Sequence, residues 1–495
     1  MEQRISIKHE HLILILSGVL FLICMGLFAF TNNYLFIAPP FVLLVLGWAA
    51  INWKQLFFFL LFCIPISIDV NIIDGKLSTS FPDEQLMWLF TILMLFIFIR
   101  KKRWSLPEWF LRNPLTLIIA LQVVWLIVAV VFSENFLLSL KYMLGQFWLL
   151  ISFLLFPVLI FREKKDFIKA FWVFAVPFIA YAIFVFSWHA THRFGYWESN
   201  RVVLPFYMNH VDYSTALSMF FPLLLTCFQL ARHKFRRRLL LLGLILFFVA
   251  AIGVAGSRAA MLGVIFALCI AFAIRKRIVN IIMPVFYGII IAAVILLAGN
   301  NRYYNYRPDM KYTATQQTFT ETVVAMFRGT DMSSMERFYR WIAAVRMSKD
   351  RPMTGVGPNN FYDYYKNYAV TAFKTWVSRN EERSTTHNYY LFMLVEQGWP
   401  AMLLYALLIP AVLAQAQRTY HLAKDPFYKK VTIGLVMVFA AGFVNNFFSE
   451  LIDTHKIGAM FYISIALLII IRHIVNQQNK NNTLPEAEGS TIQQP

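Results

Sequence analysis

The run Leu239–Ile274, LLLLGLILFFVAAIGVAGSRAAMLGVIFALCIAFAI, decides how the rest of the chain is read. A helix crosses about 30 Å of hydrocarbon in about 20 residues, so this run is too long for one crossing. Its one charged residue is Arg258, which follows Gly256-Ser257 near the middle. That Gly-Ser pair is a natural break, giving an outward helix over 239–255 and a returning one over 258–274. Basic clusters close both ends, Arg232 to Arg238 before the run and Arg275-Lys276-Arg277 after it. Lysine and arginine gather on the cytoplasmic side of membrane helices, so both ends belong on that side.

The same pattern recurs outward from this pair. Further spans are expected at 11–30, 34–52, 55–70, 86–99, 114–132, 138–161, 167–188, 211–231, 278–298, 387–411, 431–449 and 456–472. With the N-terminus inside, the cytoplasmic connections hold Lys54, Arg100 to Arg103, Arg162 to Lys165, and the stretch from Arg418 to Lys430. Every dense basic cluster then lands on one side. Hydrophobic residues are 59% of the 495 positions and charged ones 14%, which excludes an ordinary soluble domain. An alternating two-residue pattern is absent, which argues against a membrane β-barrel. The net charge of +19 is topological rather than a sign of nucleic-acid binding. Cys24, Cys63, Cys227 and Cys269 all fall in apolar runs and read as small buried hydrophobes. The first run follows Arg4 and Lys8 but has no small-x-small cleavage site, so it reads as a retained helix.

The expectation is an all-α integral membrane protein with about 12–14 transmembrane helices and both termini cytoplasmic. Residues 1–298 form the first eleven helices and 299–386 a large, partly helical extracytoplasmic loop. Residues 387–475 form the last helices, and 476–495 a disordered cytoplasmic tail. The loop holds 13 Lys+Arg against 8 Asp+Glu, basic on the side where no enrichment is expected, and is rich in tyrosine and tryptophan. Positive charge suits a phosphate-bearing ligand, and flat rings suit sugar faces or the membrane interface. Within it, Ser333 and Glu336 have capping-box spacing, followed by an apolar stripe of Phe338, Trp341, Ile342 and Val345. On that helix Arg337 and Arg340 share one flank. Pro352 ends it, and Gly355-Val356-Gly357-Pro358 makes a tight turn.

Several polar residues stand where chemistry is possible. Arg258 lies at a span end, where a guanidinium is either functional or snorkels to the interface. His387 sits where the loop meets the next span. His210 with Asp212, and the group Glu450, Asp453 and His455, are further candidates. No His/Cys/Asp/Glu set has metal-ligand spacing, and no metal site or cofactor is expected.

Gly256-Ser257-Arg258-Ala259-Ala260-Met261-Leu262 resembles the Ser-Arg-x-x-x-Leu signature of the O-antigen ligase/polymerase family. Glu336-Arg337-Phe338-Tyr339-Arg340-Trp341 with Arg351-Pro352-Met353-Thr354-Gly355-Val356-Gly357 resembles its Arg-x3-Trp…Pro-x-x-Gly-x-Gly segment. His387-Asn388 followed by Gly398 is similar to its His-Asn-x9-Gly motif, although Ala401 departs from the residues common after that glycine. The three come in family order and cover about 200–450.

The resemblance implies a GT-C-like membrane glycosyltransferase of the inner membrane, moving a glycan from undecaprenyl diphosphate to an acceptor hydroxyl on the periplasmic face. It implies a metal-independent, inverting reaction in which arginines clamp the diphosphate (Arg258, with Arg337, Arg340 and Arg201). His387 would take the acceptor's proton, with His210 and Asn388 as secondary candidates. Lipid A–core is the first expected acceptor. O-antigen polymerase and protein O-oligosaccharyltransferase use the same motifs and stay open. A lipid-linked-oligosaccharide flippase is the alternative of another class, but no half-chain repeat supports it.

Overall fold

The computed structural model describes residues 18–31, 38–73, 77–101, 106–195, 198–299, 332–369 and 385–481. Its helices are α1 (Gly18–Thr31), α2 (Ala38–Cys63), α3 (Asp83–Lys101), α4 (Pro114–Val131), α5 (Phe136–Ile160), α6 (Lys164–Thr191) and α7 (His210–Leu230). They continue with α8 (Phe235–Val254), α9 (Arg258–Lys276), α10 (Val279–Ala298), α11 (Met332–Asp350), α12 (Tyr389–Leu422), α13 (Pro426–Phe447) and α14 (His455–Asn481). Among the described residues, ten helices are long and apolar enough to cross a membrane. The protein is a multi-pass, all-α membrane protein.

Several expectations are corrected. Residues 71–85 are not merely a loop, because Ile68–Ile73 (β1) pairs antiparallel with Leu77–Phe81 (β2). This hairpin closes the turn between α2 and α3. The spans expected at 34–52 and 55–70 do divide where expected, because Asn52 leaves helical geometry at φ −149° within α2. Helix α14 continues to Asn481, into the stretch expected to be disordered, because its backbone ladder runs on past the apolar part. Most of the 299–386 loop, residues 300–331 and 370–384, lies outside the described residues.

Helices α7, α13 and α14 form the buried centre, while α8 and α10 are the most peripheral of the spans. In a bilayer there is little hydrophobic drive between helices, so close approach and internal hydrogen bonds hold them. Both devices are used here. A Cβ on Gly263 of α9 would sit 2.8 Å from the Asn445 amide nitrogen on α13. A Cβ on Gly434 of α13 would sit 2.2 Å from Thr226 Oγ1 on α7. Asn445 then bonds across, accepting from Thr215 Oγ1 at 2.9 Å and donating to Ser218 Oγ at 3.1 Å.

The contacts sort the connections to two ends. At the basic end, Lys164 meets Asp425 at 2.5 Å and Lys430 Nζ donates to Gln229 O at 2.9 Å. There too Val279 N donates to Gln417 Oε1 at 3.2 Å, and His473 stacks on Trp109 at 4.1 Å. Four basic connections therefore share one face, as the charge pattern requires. At the other end, α7, α9 and α12 begin, α13 finishes and α14 begins. This second end carries the candidate site residues.

Candidate functional site

Asn388 caps α12, its Oδ1 accepting from Tyr390 N at 3.0 Å and Leu391 N at 3.1 Å. Its Nδ2 donates to Phe447 O at 3.0 Å, pinning the start of α12 to the end of α13. Asn388 therefore has a positional role. His387, just before it, has φ +52°, in the left-handed region that few non-glycine residues occupy. Such a conformation costs about 1–3 kcal/mol and persists only where the surroundings dictate it.

The surroundings here are a buried carboxylate. Glu450, in the turn after α13, accepts from the hydroxyls of Thr385 and Thr386 and from Asn388 N, the last at 3.1 Å. One carboxylate thus binds the chain on both sides of His387. Trp341 Nε1 on α11 adds a bond to Thr386 O at 3.0 Å. Burial pushes the Glu450 carboxyl up, against the hydroxyl and amide hydrogen bonds and the charge of Arg340, which pull it down. The same Arg340 acts on the histidine. Burial, then the positive charges of Arg340 and Arg337, push the His387 imidazole down to about 3. At neutral pH the ring is uncharged.

Helix α11 brings those arginines in. Its buried face is Arg340, Ala343, Ala344 and Met347, spaced i, i+3, i+4, i+7. This differs from the expected apolar stripe, because Val345 is 43% exposed. The small alanines let α11 lie close over Val395 of α12, with Phe361 and Tyr365 completing the cluster. Arg337 and Arg340 do share a flank as expected, and it is the inward one. Helix α11 runs from Met332, so Ser333 lies within it.

The segment 351–361 fixes α11 to the rest. Gly398 breaks α12 with φ +81° and ψ −179°, which withdraws partners from the carbonyls before it. Backbone groups at membrane depth must be satisfied within the protein. The turn supplies the donors, with Val356 N on Val395 O and Gly357 N on Glu396 O, both at 3.0 Å. Trp125 Nε1 reaches Gln397 O at 2.8 Å, and Trp399 N donates back to Pro352 O at 2.9 Å. The Glu396 carboxylate accepts from Asn359 N at 2.5 Å and Phe361 N at 3.0 Å. On its far side the turn rests on the α4–α5 connection. Asn360 Nδ2 meets Ser133 Oγ at 2.8 Å, Ser139 Oγ donates to Pro358 O at 2.7 Å, and Arg351 pairs with Glu134. Two glycine motifs far apart in sequence are therefore the two halves of one joint.

Arg258 opens α9 after Gly256 at φ +74°, with Ser257 Oγ accepting from Ala260 N at 3.4 Å. Gly263 lies against Asn445 and Phe447 against Asn388, so Arg258 is on the same end as His387, across α13. The remaining expected residues do not converge there. Arg201 is 70% exposed and 3.7 Å from Glu198. His210 Nδ1 is 2.7 Å from Asn200 Oδ1, and Asp212 accepts instead from Asn209 Nδ2 at 3.2 Å. His210 does border the turn before Arg258, sharing a small cavity with Ala255. The Glu450, Asp453 and His455 group also divides. Glu450 serves His387, His455 faces Asp83 at 3.4 Å, and Asp453 accepts from Gln146, Tyr142 and Tyr389. Burial pushes Asp453 up to about 7. Sequence reasoning noted Glu450 without its role, and its only signal was a carboxylate at the site end of a span. Among the described residues, no His/Cys/Asp/Glu group is arranged to hold a metal ion.

The family model described as O-Antigen ligase matches residues 241–406, about a third of the chain. That interval contains Arg258, α11, the 351–361 turn, His387 and Gly398, while Glu450 lies beyond it. No curated protein matches the sequence. Residues 241–406 are thus similar to the O-antigen ligase family, and the apolar helices make the chain a multi-pass membrane protein.

Proposed function

We propose that the protein moves a preassembled glycan from undecaprenyl diphosphate to an acceptor hydroxyl, with lipid A–core as the acceptor, at the periplasmic face of the inner membrane. The observation that carries this reading is the neutral, half-buried His387 beside Arg337 and Arg340. The basic connections at the opposite end support a cytoplasmic placement for that end and for both termini.

In the proposed step the acceptor hydroxyl oxygen attacks the anomeric carbon while His387 takes the hydroxyl proton. The bond from that carbon to the diphosphate oxygen breaks, and undecaprenyl diphosphate leaves with the electron pair. A single displacement of this kind inverts the anomeric centre. The leaving diphosphate meets Arg337, Arg340 and Arg258, the last at a helix N-terminus, where a developing anion is also favoured. Fixed guanidinium groups supply the charge that a divalent ion supplies elsewhere.

A base with a pKa of about 3 is a poor proton acceptor at neutral pH, and the same arginines explain how it improves. A bound diphosphate offsets their charge, so the imidazole's affinity for a proton rises when the donor arrives. Donor binding thereby activates the base, and the free enzyme keeps it neutral. Arg201, exposed and paired with Glu198, and His210, held by Asn200, stand apart from this step.

The test is deletion of the gene followed by analysis of the lipopolysaccharide ladder. A ligase predicts bare core with carrier-linked polymer accumulating. Core capped by one repeat identifies a polymerase, and an unchanged ladder with lost glycoprotein staining identifies protein O-glycosylation. A block in carrier-lipid flipping, with donor held on the cytoplasmic leaflet, points to the transporter reading.

A further inference from the structure

A second candidate site opens at the basic end of the bundle and extends along α14 toward the end that carries His387. There the end of α2 with α6, α7, α8, α13 and α14 line a cavity of about 760 Å³, within the range of built small-ligand pockets, from Lys234 and Arg237 at the basic end to Ala459 and Met460 near the start of α14. Its walls are apolar, with Phe171, Leu223, Leu241 and Leu467 among them. Lys234 and Arg237, both exposed, also border it at the start of α8, on the basic end of the bundle. Neighbouring cations are already engaged. Arg238 lies 4.6 Å from the Phe228 ring centre, Lys430 holds Gln229 O, and Lys164 holds Asp425. Among the described residues, Lys234 and Arg237 have no carboxylate within ion-pair distance.

An apolar chamber with two cations at one rim fits a ligand with hydrocarbon chains and a phosphate. We propose that the cavity holds one anionic diacyl phospholipid from the leaflet at the basic end, chains inside and phosphate on Lys234 and Arg237. Lipid chains supply the van der Waals partners that the facing helices lack across this gap. Guanidinium and ammonium groups at a membrane surface add the attraction for the anionic head. The glycan carrier is a poorer occupant by distance. From His210 at the site end of α7 to Leu230, beside Lys234, is roughly 30 Å at 1.5 Å per residue. A carrier whose diphosphate lies beside Arg258 therefore leaves Lys234 and Arg237 without an anion. This proposal does not depend on glycan transfer.

The test uses the purified full chain, titrated in detergent with phosphatidylglycerol, phosphatidylcholine or undecaprenyl phosphate and read by native mass spectrometry. One tightly retained phosphatidylglycerol per chain is expected, with phosphatidylcholine at least tenfold weaker. Lys234→Gln with Arg237→Gln should weaken phosphatidylglycerol binding about thirtyfold. Arg232→Gln with Arg236→Gln, on the same exposed surface but away from the cavity, should change it less than threefold. Equal retention of the two phospholipids overturns the proposal. So does unchanged binding in the first double variant, or equal loss in the second, which would mean diffuse surface attraction. Displacement of phosphatidylglycerol by an equal concentration of undecaprenyl phosphate would assign the cavity to the carrier and overturn it as well.

Discussion

Gly398→Ala tests the joint that holds the arginines over His387. The native φ of +81° with ψ near 180° is a region open essentially only to glycine, so alanine pays about 1–3 kcal/mol of backbone strain. Its Cβ would also fall 1.9 Å from Met353 O and 2.7 Å from Pro352 O, and overpacking of this kind costs about 1–3 kcal/mol more. Relief requires the 352–358 turn to lift away, which endangers the bonds to Val395 O, Glu396 O and from Trp399 N, each contributing about 1 kcal/mol. With partial relaxation the total is about 3–6 kcal/mol, a fall in unfolding midpoint on the order of 5 °C. Because the turn anchors α11, Arg337 and Arg340 lose their register, and transfer should drop at least tenfold in the chain that remains folded. The assay is thermal unfolding of the purified protein together with glycan transfer per folded chain. Gly253→Ala is the control, since nothing lies within 4 Å of its Cβ position. A Gly398→Ala protein with the midpoint and activity of the parent would refute the reasoning.

Glu450→Ala removes the acceptor that binds both flanks of His387, so kcat should fall about a hundredfold while donor KM moves little. Glu450→Gln, which keeps one acceptor oxygen, should recover part of that loss; equal defects in both variants would contradict a positioning role. The pH dependence follows from the sign of the His387 shift. A pKa pushed down to about 3 leaves the free enzyme's base unprotonated at all working pH values, so kcat/KM should stay level on the acid side to about pH 4. Offset of the arginine charges by the bound donor raises that pKa, so kcat should fall at a higher pH than kcat/KM does. Coincident acid limbs in the two profiles would rule out activation by the donor.

The membrane architecture was legible because its causes are local. Apolar run length and the position of lysines and arginines need no tertiary information, and the break at Gly256-Ser257 is visible as a Gly-Ser pair inside an apolar run. The pairing of Arg337 and Arg340 was legible from helical spacing alone. The face they occupy was not, because α11 packs through Ala343 and Ala344 rather than through its bulkier residues. The Gly355 and Gly357 turn reads as a turn, but its mate at Gly398 is joined to it mainly by main-chain hydrogen bonds, which leave no side-chain trace in sequence. Glu450 was visible as a polar residue at a span end. Its bond to the strand around His387 spans more than sixty residues, a distance at which no spacing rule operates. The hairpin at 68–81 hid inside a segment too short and polar to count as anything but a loop.

His387 is proposed to take the acceptor's proton while arginine charge holds the donor's diphosphate. The most direct measurement of that step is single-turnover transfer by purified His387→Ala, at saturating undecaprenyl-diphosphate-linked glycan, with donor affinity measured on the same sample. Donor binding is expected within about threefold of the parent, with the chemical step slowed about 10²–10⁴-fold, the range for loss of a general base. A His387→Ala chain that binds donor normally and transfers glycan at the parental rate would contradict it.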